Sequence, residues 1–123
     1  MARVLGLHHV QIFIPPGTED RARAFYGGLL GLREVPKPPS LAGRGGLWYD
    51  VGDGQLHVSA RPAGADTSGR HPGLLVDDLA AFRRRLEAAG VPLEEDVPIP
   101  GFVRCYCRDP FGNRIELLER REE

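Results

Sequence analysis

From residue 9 to residue 14 the chain alternates, with Val10, Ile12 and Ile14 on one parity and His9, Gln11 and Phe13 on the other. That period of two predicts a strand. A Pro/Gly break follows, and the period then changes. Ala22, Phe25, Tyr26, Leu29 and Leu30 recur at the spacing of a helix stripe. Thr18 is placed as its N-cap, Glu19 and Asp20 as acids in its first turn, and Gly31 as its stop. The Gly27–Gly28 pair weakens its last turn. A short strand is expected at 33–35, and the prolines of "PKPPSLAGRGG" (36–46) predict a loop. "LWYDV" (47–51), a Gly-Asp-Gly turn and "QLHVSA" (55–60) read as a hairpin.

The same pattern then runs a second time. After the linker "RPAGADTSGR" (61–70), Leu74 and Val76 take one face of a strand and His71 and Leu75 the other. Asp77 or Asp78 caps a helix whose stripe is Leu79, Phe82, Leu86 and Ala89, with Gly90 and Pro92 as stop signals. The run Arg83–Arg85 reads as the solvated face of that helix. A short strand is expected at 92–94. "FVRCYCR" (102–108), the turn "DPFGN" (109–113) and "RIELLE" (114–119) form a second hairpin. Each half therefore reads β-α-β-β-β, an α+β arrangement. A helix covers one face of each sheet, and the other face must curl around something or meet its copy.

The chain has 123 residues, enough for one domain, 1–123, built of module 1 (about 4–60) and module 2 (about 70–119). Sixteen Lys and Arg against seventeen Asp and Glu leave a net charge of −1, with no basic excess for nucleic acid or an anionic membrane. No apolar run reaches the roughly 18 residues of a membrane span. The start "MARVLGLHHV" lacks the apolar core of a signal peptide, so a cytoplasmic location is expected. Cys105 and Cys107, two apart in a strand, are poorly placed to bond each other and read as small buried hydrophobes.

The repeat places four side chains with ligand chemistry at matching positions. His9 and His71 start the first strand of each half, and His57 and Glu116 stand mid-way in the last. Leu56, Val58, Ile115 and Leu117 flank the latter pair and face the helices, so by alternation all four candidates face the other way. His8 precedes the strand and reads as a non-ligand. Gln11 and Phe13 share the His9 face, Gln55 and Ser59 the His57 face, and Arg114 the Glu116 face. One of Trp48 and Tyr49 must share it too. The stripe Arg104, Tyr106, Arg108 faces either the candidate ligands or solvent.

"LHHVQIFIP", "AFYGGLLGL", "GQLHVS", "HPGLLVDDLAAFRRRLEAAGV" and "DPFGNRIELLE" together make the chain resemble the vicinal oxygen chelate superfamily, which includes glyoxalase I, fosfomycin-resistance thiol transferases, extradiol dioxygenases, methylmalonyl-CoA epimerase and bleomycin-resistance proteins. The resemblance implies two βαβββ modules forming a cupped mixed sheet, with helices on the outer face. It implies one divalent metal held by His9, His57, His71 and Glu116. Three imidazoles and a carboxylate suit Fe, Ni, Co, Mn or Zn rather than Ca or Mg. An octahedral ion so held keeps two open positions, whereas a tetrahedral zinc would be full and structural. The expected function is that of an isomerase, lyase, thiol transferase or ring-cleaving dioxygenase acting on a small oxygenated molecule. Glu116 would be the catalytic carboxylate, and Gln11, Phe13, Gln55 and Arg114 would contact substrate. Glyoxalase I would place a glutamate at position 57, and the histidine found there argues against lactoylglutathione lyase activity. The alternative is a metal-free, drug-sequestering protein of the bleomycin-resistance type. Either way a homodimer is expected.

Overall fold

The alternation at the start of the chain forms strand β1 (His9–Ile14), with Ile12 and Ile14 buried and His9, Gln11 and Phe13 exposed. The structure, a computed structural model, describes residues 2–62 and 69–121. The chain divides into two compact units, Met1–Gly64 and Ala65–Glu123. Residues 63–68 of the expected linker lie outside the described residues.

In the first unit, helix α1 (Glu19–Ala22) continues as a π-helix over Arg23–Leu29. The Leu30 N–H donates to the Phe25 carbonyl at 2.9 Å, five residues back. The apolar stripe predicts an ordinary helix here, weakened at Gly27–Gly28. The glycine pair instead lies in a wider turn that keeps Phe25, Tyr26 and Leu30 in the core. Thr18 occupies the N-cap but makes no capping bond; its hydroxyl donates to the Pro15 carbonyl at 2.5 Å. β2 (Arg33–Val35), β3 (Leu47–Val51) and β4 (Gly54–Ala60) complete a sheet of order β1-β4-β3-β2. β1 runs parallel to β4, and the other neighbours are antiparallel. Leu47, Tyr49, Leu56 and Val58 pack on the helix side.

The second unit repeats this plan with β5 (Gly73–Leu75), α2 (Leu79–Ala88), β6 (Leu93–Glu94), β7 (Phe102–Arg108) and β8 (Arg114–Arg120), in the order β5-β8-β7-β6. Asp78 caps α2, accepting from the Ala81 N–H at 3.0 Å, and Glu119 accepts from the Leu79 N–H at 2.8 Å. Leu74, Leu79, Leu86, Ile115 and Leu117 form the core with both cysteines, which are free. Burial pushes the Cys107 thiol up to about 12 and raises Cys105 as well, so neither is a thiolate nucleophile at neutral pH.

Three local expectations change. β5 begins at Gly73, because Pro72 has no N–H for the ladder, so His71 precedes its strand. Ala89 lies past the last helical turn and is exposed. Arg83 is not a bare solvated residue: it pairs with both oxygens of Glu95 and donates to the Arg104 carbonyl.

The 109–113 turn is held by Asp109, which is only 5% exposed. Its Oδ1 accepts from the Phe111 and Asn113 N–H groups at 2.9 and 2.8 Å, and its Oδ2 from Asn113 Nδ2 at 2.8 Å. Asp109→Ala leaves the buried Asn113 without these acceptors. A loss of about 2–4 kcal/mol is expected in denaturant unfolding.

Candidate functional site

In the first unit the candidate face is built by register. Gln11 pairs with His57 across β1 and β4, and Trp48 pairs with His57 across β3 and β4. Trp48, rather than Tyr49, therefore shares the histidine face. The His57 ring lies between two others: the Trp48 ring is stacked 3.9 Å away at 1°, and the His9 ring 4.0 Å away at 15°. That sandwich leaves His57 5% exposed on the side of the sheet opposite the helix.

Burial, with the neighbouring His9 and His8, lowers the His57 pKa to about 4, so its ring is neutral at pH 7. A neutral imidazole is the form that ligates a metal. Its Nε2 lies 2.8 Å from Gln55 Oε1, an acceptor, so Nε2 carries the proton and Nδ1 keeps the lone pair. Gln55 thus orients His57. His8, read from sequence as a non-ligand, lies with its Nδ1 2.9 Å from His9 Nδ1 and orients that ring. Gln11 Oε1 accepts from the Ser59 hydroxyl at 2.7 Å, and the Arg61 guanidinium lies 5.7 Å above the half-exposed Phe13 ring.

The depressed His57 pKa has a consequence for stability. The unfolded chain takes up this proton near pH 6.5 and the folded one only near 4, so acid favours unfolding between those values. Above pH 6.5 the contribution is flat. Metal-free protein is expected to lose up to about 3 kcal/mol across that window relative to a His57→Phe variant. Chemical denaturation at a series of pH values measures the difference.

The second unit holds the other pair at the equivalent register. Gly73 pairs with Glu116 as Gln11 does with His57, and His71 stands two residues before Gly73 as His9 does before Gln11. His71 Nε2 lies 3.0 Å from Glu116 Oε1, and its Nδ1 lies 2.8 Å from the Gly69 carbonyl. The carbonyl can only accept, so Nδ1 carries a proton. In a neutral ring Nε2 is then a lone pair facing a carboxylate, and the contact needs a second proton or a cation. Glu116 Oε2 accepts from Arg104 Nη1 at 3.0 Å, and the same nitrogen donates to the Tyr106 hydroxyl at 2.7 Å. Glu116 is 7% exposed.

The Arg104 stripe thus faces the candidate ligands. Arg104, not Arg114, pairs with Glu116. The Arg114 guanidinium carbon lies over the Tyr106 ring, 3.6 Å from its centroid. Among the described residues, no three His, Cys, Asp or Glu side chains form a ready metal cluster. The predicted ligands form two pairs, one in each unit. The donor chemistry fits a divalent ion: His57 is neutral, His71 is oriented through Nδ1, and its Nε2 faces a carboxylate.

The Glyoxalase/Bleomycin resistance protein/Dioxygenase superfamily model matches residues 6–117. The chain belongs to this superfamily. A glyoxalase family protein of Bacillus anthracis shares 36% identity and a TM-score of 0.91, over 98% of this chain and 99% of that one. Lactoylglutathione lyase of Agrobacterium tumefaciens shares the fold at 23% identity, TM-score 0.71, with 96% of each chain covered. The fosfomycin resistance protein FosX of Listeria monocytogenes does so at 14% identity, TM-score 0.77, over 94% of this chain and 91% of that one. No curated protein matches the sequence. Among the described residues of this glyoxalase-superfamily chain, no helix is long and apolar enough to cross a membrane. The βαβββ modules inferred from the repeat are those of the superfamily fold.

Proposed function

We propose that the protein is a divalent-metal-dependent enzyme acting on a small oxygenated substrate, through isomerase, lyase, thiol-transfer or dioxygenase chemistry. His9 and His57 of one unit, with His71 and Glu116 of the other, would supply the ligands, within one chain or across a homodimer. The observation that carries this reading is the His71–Glu116 contact: Nδ1 is set against the Gly69 carbonyl at 2.8 Å, and Nε2 is aimed at a carboxylate 3.0 Å away. A bound divalent ion would polarise vicinal substrate oxygens and stabilise the developing oxyanion. Glu116 would move the substrate proton, with Arg104 balancing its charge. Gln11, Phe13 and Arg114 would contact substrate, and Gln55 would hold His57. The protein would work in the cytoplasm.

One observation favours a metal-free ligand-sequestering protein instead: both Glu116 oxygens already have protein partners, His71 and Arg104. Metal analysis of untagged protein separates the two readings. About one equivalent of Fe, Ni, Co, Mn or Zn per chain is expected for the enzyme. No metal, and no uptake on titration, would overturn it.

A further inference from the structure

A cavity of about 360 Å³ opens beside the His9 and His57 rings, within the range of small-molecule sites. Its lining includes His8, His9, His57 and the Trp48 indole together with Lys37, Arg44 and Arg61. No Asp or Glu lines it. Among the described residues, none of the three cations forms an ion pair with a carboxylate: Lys37 Nζ donates to the Gly45 carbonyl, and Arg61 to the Ala60 carbonyl at 3.1 Å. This contrasts with Arg23, Arg33, Arg83, Arg104 and Arg108, which all meet an acid.

The loop bearing Lys37 and Arg44 is held in place. Glu19, on α1, accepts from the Gly46 N–H at 3.0 Å, and this bond is the main cause of its lowered pKa. Gly46 itself lies against β4 so closely that there is no room for a Cβ. The Glu19 carboxylate is therefore committed to bracing the loop.

We propose that this cavity is an oxyanion site and that its ligand is a small organic carboxylate, phosphate or phosphonate. Lys37 and Arg44 would bind the anionic group, and the Trp48 indole would cover its apolar part. Three unneutralised cations around one concavity favour an anion and disfavour a cationic or neutral ligand of the same size. Naming this ligand as the substrate rests on the proposed function; the anion site itself does not.

Trp48 is the single tryptophan of the chain, so its fluorescence reports on this cavity alone. Metal-free protein is titrated at pH 8 with inorganic phosphate, with malonate, and with glycerol as a neutral control. A saturable change with either anion, weakened by salt and absent with glycerol, is expected. A response to phosphate alone assigns a phosphate-type ligand, and one to malonate alone a carboxylate. Lys37→Met should weaken binding about tenfold or more. Arg44→Gln, at an exposed position, should do the same and keeps the test open if Lys37→Met does not fold. No saturable response to either anion up to about 50 mM, far above ordinary small-ligand affinities, would overturn the proposal. So would an unchanged affinity in Arg44→Gln. Because no metal is present, the result stands apart from the metal analysis.

Discussion

Replacing Gly46 with alanine is expected to destabilise the protein by about 3 kcal/mol or more, lowering the melting temperature by roughly 10 °C or more. Two causes act together. Gly46 has φ +85°, where an L side chain is strained, and an added Cβ would meet the Val58 carbonyl oxygen at 2.2 Å. Ser59 Cα and Ala60 N lie at 3.2 and 3.3 Å. All three atoms are backbone of β4, which is paired on both sides, so none can yield without breaking a ladder. Gly90→Ala is the control: its φ is +77° but nothing lies within 4 Å of its added Cβ, so only the conformational cost of about 1 kcal/mol applies. Equal melting temperatures for the two variants would show that the close approach to β4 is absent. Because the Gly46 amide is tied to Glu19, Gly46→Ala should also weaken anion binding in the cavity beside His57.

The second large effect concerns metal affinity. His57→Ala, His71→Ala and Glu116→Gln are each expected to weaken uptake on the order of a hundredfold or more, since each removes a proposed ligand. Gln55→Ala should cost about tenfold, because Gln55 acts by orienting the His57 ring. Titration with Co or Ni, read by Trp48 quenching and calorimetry, separates the two classes. The indole is stacked 3.9 Å from the His57 ring, so a paramagnetic ion bound there must quench it. Unchanged affinity in all three ligand variants would remove the metal reading and leave the sequestering protein.

Much of this arrangement is legible in the residues. Parity along β1 and β4 is enough to place His9, Gln11 and His57 on one face, because a half-buried strand cannot slip by one residue without exposing Ile12 and Leu56. Parity also limits the choice between Trp48 and Tyr49 to one of two, but only the cross-strand pairing decides it. The Arg104–Glu116 bond was out of reach for a similar reason. It depends on how β7 pairs with β8, and so on the Asp109 hydrogen bonds inside the turn, which no periodicity records. The loop 36–46 carries no period at all, so nothing in the sequence predicts that Lys37 and Arg44 meet His9 at one cavity. The π-helical turn escaped because helix templates assume 3.6 residues per turn.

Within each unit, among the described residues, the first strand pairs with the last, in parallel. Residues about 45 apart must therefore meet before either sheet can close. Such distant pairing carries the entropy of closing a long loop, and it slows folding relative to hairpin-first topologies. On the ribosome β1 waits unpaired until β4 has emerged, and β5 until β8 has. In that interval, the edge of each first strand is open to capture by another nascent copy.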